Sequence, residues 1–391
     1  MRGNIGMMYK RRKGMRILFD LTDMYDHVSG MERYSIELAK AVMDNYPENG
    51  YTLLFKNYVP ETFYDYVMRE GVVTTVIRGG SKPVFRQVVL PFYLYRAKAD
   101  AYCFFAFGEP LLFFNKNIYS MVHDMSPWDN YKDMKLGSNI FFRATIAHTI
   151  KYAKGIFTNS KYSAKRILAY AHKKEIYDTV KNKLNVIYAG AGEEFYIEEE
   201  PSEDVFTKYN LPKEYLLSLS TIEPRKNIKL LIKAYDKLVK ENKDIPKLVL
   251  SGRNGWKEDE ALGKIPEHIR DRIIFTGFVD DSDLRSLYRN AKAFIFPSKY
   301  EGFGLPVLEA MASKTIVITS DATSLPEVTG QDAVIFKSGD ADALVNCITK
   351  VLNMKDKNKQ DIIEHAHLRA KHFRWGKCAD KVIKVLKRDG L

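Results

Sequence analysis

Short β-branched and aliphatic runs alternate along the chain with segments whose apolar residues recur at helical spacing. MRILFDL (15–21) reads as a strand; a loop then leads to Gly30, and MERYSIELAKAVMDN follows as an amphipathic helix. YTLLFKN, VVTTVIR, AYCFFAF, IYSMVHD, GIFTNS and LNVIYAG continue the series. Strands spaced by helix-length segments predict parallel sheets with crossover helices, hence an α/β fold.

The pattern breaks at EEFYIEEEPSEDVF (193–206), which is acidic, contains a proline and has no periodic apolar face. It reads as a linker. A second series follows: EYLLSLS, PKLVLSG, RIIFTGF, KAFIFPS, KTIVITS and DAVIFK are strand-like, with helical stretches such as NIKLLIKAYDKLVKEN between them. The expected architecture is two doubly wound domains facing a central cleft, at 15–195 and 196–374. Residues 1–14 form a basic tail, and a terminal helix at about 375–391 packs back on the first domain.

At 391 residues, with 46% apolar and 28% charged side chains, the chain is long enough for two cores. Cys103, Cys347 and Cys378 are far apart and match neither a disulfide framework nor a zinc spacing, so a reducing, cytoplasmic setting is expected. No apolar run approaches the roughly 20 residues of a membrane span. The net charge of +12 is uneven: 131–183 holds twelve Lys/Arg against three Asp/Glu, interleaved with aromatics. That segment is either a solvated face or a surface for anions, with an anionic membrane the partner to test. No nucleic-acid recognition motif accompanies it.

Some tempting motifs fail on inspection. YAGAGEEF supplies Gly190 and Gly192, but Phe195 stands where a dinucleotide fingerprint needs its third glycine. The pairs Asp281/Asp283 and Asp340/Asp342 precede helical patterns and are expected to cap them rather than hold a metal.

The stretch SKYEGFGLPVLEAMA (298–312) carries more chemistry. Glu301 directly follows a strand, Gly302 and Gly304 form a loop open to a ligand, and Pro306 starts a helix containing Glu309. The free N–H groups of Phe303, Gly304 and Leu305 make an anion site at the helix start. Ionised carboxylates only accept hydrogen bonds, so Glu301 and Glu309 suit the hydroxyls of a ribose and a hexose beside that anion. Arg225 and Lys226, in TIEPRKNIKLLIKAY, stand at another helix head, where cations are disfavoured unless they meet an anion. Gly30 can admit a phosphate to the helix that follows it, and His123 closes a strand at the same cleft edge.

Together these residues resemble the family-4 retaining glycosyltransferases of the GT-B fold, over nearly the whole chain from Met15 to about Lys387. EGFGLPVLEAMA is similar to the family's two glutamates separated by seven residues. TIEPRKNIKLLIKAY, GFVDDSDLRSLYRNAKAFIFPSKYEGFG and SLPEV match in order and spacing. Within the family, EPRKN and SGMERYSIELAKA resemble a bacterial branch that uses GDP-mannose to build surface polysaccharides.

The resemblance implies roles. Lys226 and Arg225 would neutralise the donor diphosphate, Glu309 hold the ribose, and Glu301 with the amides of Phe303 to Leu305 hold sugar and phosphate. Gly30 and His123 would come from the other domain, and Val279 would face the base. It also implies retention at the anomeric carbon, no metal, no separate cofactor, and a glycan or polyprenyl-diphosphate-linked acceptor. Two departures stand out: Ser220 replaces an arginine that many relatives carry six residues before the lysine, and Ala189-Gly190-Ala191-Gly192 replaces the usual Asn-Gly. Competing expectations are a UDP- or dTDP-sugar donor, a GT-B epimerase or phosphorylase, and a catalytically silent sugar-nucleotide-binding subunit.

Overall fold

The structure, a computed structural model, describes residues 14–24, 30–198, 204–242, 244–255 and 257–391. The expected basic tail, save Gly14, lies outside the described residues, as does 199–203 of the acidic stretch.

Every strand-like run of the sequence forms a strand. The first seven are β1 (Arg16–Asp20), β2 (Gly50–Lys56), β3 (Val72–Ile77), β4 (Ala101–Phe104), β5 (Ile118–Met121), β6 (Gly155–Thr158) and β7 (Leu184–Val186). They build one parallel sheet in the order β3-β2-β1-β4-β5-β6-β7. β8 (Tyr215–Leu219), β9 (Lys247–Ser251), β10 (Ile273–Gly277), β11 (Ala293–Phe296), β12 (Val317–Ser320) and β13 (Val334–Phe336) build a second, ordered β10-β9-β8-β11-β12-β13. β4, β5, β6, β11 and β12 are buried at every position, which is why they read as unbroken apolar runs rather than alternating ones. The strand order reverses between β1 and β4 and between β8 and β11, and ligands bind beyond the carboxyl ends of strands at such switch points.

One apolar cluster runs continuously from Phe19, Tyr34 and Phe157 under the first sheet to Phe294, Phe296 and Leu308 under the second, with Phe373 and Trp375 among its members. The terminal helix Trp375–Arg388 lies along the helix Gly30–Asn45 of the first half, where the Tyr46 hydroxyl donates to Asp380 at 2.8 Å. The Ala-Gly-Ala-Gly departure is explained here. A Cβ on Gly190 would stand 2.5 Å from the Trp375 nitrogen, so the glycine lets the returning chain cross.

The two aspartate pairs part ways. Asp340 caps the helix Ala341–Leu352 by accepting from the N–H groups of Asp342 and Ala343. Asp281 and Asp283 form no such cap. Asp281 pairs with Arg33, and Asp283 accepts from Lys208 and Tyr209, because cations and a phenol reach them first.

Candidate active site

A cleft of about 710 Å³ opens between the two sheets, and all ten residues singled out in the sequence line it. Gly30, the first residue of its helix, and His123, two residues beyond β5, come from the first half. Arg225, Lys226, Val279, Glu301, Phe303, Gly304, Leu305 and Glu309 come from the second.

Gly304 has φ of +111° and sits immediately before the helix Leu305–Ala312, with Pro306 in its first turn. That backbone conformation is open to glycine and costly for other residues. Among the described residues the N–H groups of Phe303, Gly304 and Leu305 have no acceptor, so they are available to an anion. The loop is held from behind: the Ser324 hydroxyl lies within bonding distance of the carbonyls of Glu301 (3.0 Å) and Phe303 (2.9 Å), and the Glu301 N–H donates to Thr323 at 2.9 Å.

Arg225 and Lys226 occupy a tight turn, Pro224–Lys226, just before the helix Ile228–Glu241. Both cations converge on Glu301: Lys226 Nζ at 2.7 Å and Arg225 Nη1 at 3.2 Å. Arg225 is also braced by Glu223 at 2.6 Å. Burial alone would raise the Glu301 carboxyl, but the Lys226 ammonium and the Arg225 guanidinium outweigh it and hold the group below its ordinary 4.5. Burial and the neighbouring guanidinium lower Lys226. The cluster therefore presents two cations and one carboxylate on one wall of the cleft.

Glu309 is buried and already partnered. The Tyr288 hydroxyl donates to Oε2 at 3.0 Å, and Arg33 reaches across from the first half to Oε1 at 3.2 Å. Burial raises Glu309, with Arg33 opposing. His123 is buried too; its Nε2 donates to the Phe105 carbonyl at 2.8 Å, and Tyr34 packs edge-on against the ring, centroids 5.2 Å apart. Desolvation lowers its basicity, and the hydrogen bond to the Phe105 carbonyl opposes that shift.

The halves touch beside His123. A Cβ on Gly302 would lie 2.8 Å from the His123 carbonyl oxygen, and the Asn159 amide nitrogen donates to the carbonyls of both His123 (2.7 Å) and Gly302 (2.9 Å). Ser220, at the position of the relatives' arginine, lines the cleft with a buried hydroxyl that has no partner among the described residues. At the far end the Arg253 guanidinium lies over the Phe278 ring at 4.5 Å, next to Val279.

Arg33, Tyr288 and Asn159 are site residues that sequence reading missed. Arg33 carried a signal: it is a cation in the first turn of a helix, where the dipole disfavours it, like Lys226 before its own helix. Tyr288 and Asn159 gave none, since a tyrosine on an amphipathic helix and an asparagine after a strand are commonplace.

The profile of the family described as "Glycosyl transferases group 1" matches residues 172–369, just over half of the chain. The serotype-specific mannosyltransferase WbdA of Escherichia coli is 34% identical over 274 residues, 68% of this chain and 33% of that protein. The O-antigen chain mannosyltransferase B of Escherichia coli is 39% identical over 197 residues, 49% of this chain and 51% of that one. The chain thus spans about a third to a half of the length of these relatives. In fold it is similar to a crystal structure of Anabaena Alr3699/HepE in complex with UDP-glucose, with a TM-score of 0.70 at 16% identity over 96% of this chain and 100% of that one. A glycosyltransferase from Rickettsia africae gives a TM-score of 0.69 at 16% identity over 96% and 98%. The two parallel sheets, the cleft between them and the family match agree: the chain belongs to the glycosyl transferases group 1 family and has the GT-B fold.

Proposed function

We propose that the chain is a retaining mannosyltransferase that moves mannose from GDP-mannose to a hydroxyl of a glycan or polyprenyl-diphosphate-linked acceptor in surface polysaccharide synthesis. The observation that carries this reading is the convergence of Lys226, Arg225 and three free amides at a helix start opposite Gly30 and His123. The names of the relatives, mannosyltransferases of O-antigen and serotype assembly, support the sugar.

The diphosphate lies against Arg225, Lys226 and the amides of Phe303 to Leu305, which neutralise charge as the glycosidic bond breaks. Protein cations and amides supply this neutralisation, so activity is expected to survive a chelator. Glu309 accepts from the ribose hydroxyls and Glu301 from the sugar. The base lies beside Val279, near Arg253 and Phe278. The acceptor hydroxyl attacks from the face the diphosphate leaves, passing its proton to the leaving β-phosphate, while His123 stays near the reacting carbon. Contact of the two halves keeps water from the donor.

Among the described residues no helix is long and apolar enough to cross a membrane. Peripheral contact with an anionic leaflet, on the cytoplasmic side where the sugar nucleotide would be supplied, fits the basic 131–183 segment, which exposes Tyr131, Leu136 and Ile140. A neighbouring surface fits it better. The helical turns Lys82–Val84, Phe85–Val89 and Leu90–Arg96 follow one another directly and expose Val84, Val88, Phe92 and Tyr95, with Arg78, Arg96 and Lys98 exposed in the same stretch of chain.

Calorimetric binding of GDP, UDP, dTDP and ADP, followed by transfer from the preferred donor, tests the reading. Tightest binding of GDP is expected; preference for UDP or dTDP overturns the donor, and binding without transfer or hydrolysis favours a silent subunit.

A further inference from the structure

The SLPEV motif (324–328) does not line the cleft, yet its glutamate makes an unusual contact. Glu327, on the helix Leu325–Thr329 of the second half, extends its carboxylate to the first turn of the helix Lys161–Lys173 in the first half. Oε1 accepts from the Lys161 N–H at 2.9 Å and Oε2 from the Tyr162 N–H at 3.2 Å. The Tyr188 hydroxyl donates to Oε1 at 2.7 Å. Unpaired donors and the positive end of a helix dipole both favour a carboxylate there. Here the carboxylate belongs to the opposite half of the molecule.

Both ends of this contact lead back to the reacting centre. On one side, Ser324 in the same motif binds the carbonyls of Glu301 and Phe303. On the other, Asn159 and Ser163, which flank Lys161 and Tyr162, donate to the His123 carbonyl at 2.7 and 2.9 Å. Asn159 then closes the circuit onto Gly302 at 2.9 Å. A ring of hydrogen bonds thus runs from the acid loop through Glu327 to the helix start and back through His123.

We propose that Glu327 is a positioning residue: a clasp between the two halves that sets the separation of His123 from the Glu301 loop and so holds the cleft in its reactive, closed geometry. The inference rests on the transferase reading for its kinetic consequence but not for the contact itself. Arg225, Lys226 and Glu309 all lie in the second half, so loosening the clasp leaves their hold on the nucleotide in place. It displaces the groups contributed by the first half.

Glu327→Ala and Glu327→Gln are compared with the unaltered chain by three measurements. The expected result for Glu327→Ala is a fall in kcat of about 10²-fold, the cost of an ångström-scale misplacement. Its affinity for the nucleoside diphosphate should stay within about threefold, and the amides of Lys161 and Tyr162 should exchange faster with deuterium. Glu327→Gln keeps one acceptor and should recover part of kcat. An unchanged kcat in Glu327→Ala overturns the proposal, as does a loss shared equally by kcat, nucleotide affinity and melting temperature, which marks a merely structural contact. Should the unaltered chain transfer no sugar from any donor, the transferase reading fails, and the amide exchange alone decides whether the clasp exists: unaltered exchange at Lys161 and Tyr162 in Glu327→Ala removes it.

Discussion

Arg33 of the first half and Glu309 of the second form an ion pair at 3.2 Å across the cleft, on the carboxylate expected to receive the ribose. The same guanidinium also pairs with Asp281, so one side chain holds two acids of the opposite half. Burial raises the Glu309 carboxyl and Arg33 opposes that rise. In Arg33→Ala the opposition is gone and Glu309 moves further up. Because a raised group ionises only above its own pKa, nucleotide affinity in this variant should be weakest at low pH and recover as pH rises, whereas the unaltered chain should vary less. Calorimetric titration of the preferred nucleoside diphosphate from just above 4.5, the ordinary value of a glutamate, up through neutral and alkaline pH checks the slope, and parallel profiles would remove Arg33 from the ribose site.

Lys226 and Glu301 are buried together, and Arg225 supplies a second, weaker hold. Lys226→Ala should destabilise the fold by about 2–3 kcal/mol, less than the ~3–5 kcal/mol of a wholly uncompensated buried charge because Arg225 remains. The double variant Lys226→Met with Glu301→Gln should recover part of that loss in urea titrations. Since Glu301 is held below its ordinary value, its contribution is complete at neutral pH and is lost as pH falls below about 4.5. Acid unfolding should accordingly be shallower in Glu301→Gln than in the unaltered chain.

The division of labour between the two glutamates follows from their partners. Glu309→Ala should weaken nucleotide binding about tenfold, the worth of one charge-assisted hydrogen bond, and Glu301→Ala should mainly lower kcat. Initial rates with calorimetric dissociation constants separate the two, and equal, negligible effects on both quantities would end the assignment.

Both sheets were legible because each strand is a short apolar run bounded by turn residues, and its length and flanks distinguish it from the longer helices between. The lining of the cleft was legible for a related reason. Glu301, Lys226 and His123 each follow the carboxyl end of a strand, where parallel sheets put their ligands. What stayed hidden depends on the placement of one half against the other. Nothing local marks Glu327 as the partner of a helix start more than 160 residues earlier, or Gly302 as the place where the His123 carbonyl passes. The pairing of Lys226 and Arg225 with Glu301 was hidden likewise, because sequence shows which groups reach the cleft but not which meet one another before a ligand arrives.

The exposed row Val84, Val88, Phe92 and Tyr95 predicts where the chain meets a membrane. Buried Arg86, in the same helical run, bonds the carbonyls of Phe107 and Gly108, which line the cleft, so docking there would bring the acceptor wall close to the lipid surface. Val88→Asp with Phe92→Asp should abolish sedimentation with vesicles containing phosphatidylglycerol. Arg96→Gln with Lys98→Gln should weaken it roughly 30-fold, at about 1 kcal/mol for each charge near the surface. If only Lys/Arg-to-Gln changes within 131–183 lower binding, the contact belongs to that segment instead.

Gly30 and Gly302 separate ligand space from protein space. A Cβ on Gly30 meets nothing within 4 Å, whereas on Gly302 it meets the His123 carbonyl oxygen at 2.8 Å. Gly30→Ala should therefore keep or slightly raise stability, by about 0.4–1 kcal/mol through the unfolded chain. Its transfer rate should fall, because the phosphate must approach that bare backbone. Gly302→Ala should cost about 1–3 kcal/mol of overpacking and also lower kcat, since relief comes only by moving the halves apart. Urea titration and initial rates on the two variants suffice to check this. Full activity in Gly30→Ala would mean that no ligand group comes near that helix start, and a stable, fully active Gly302→Ala would show that the seam beside His123 yields without cost to the reaction.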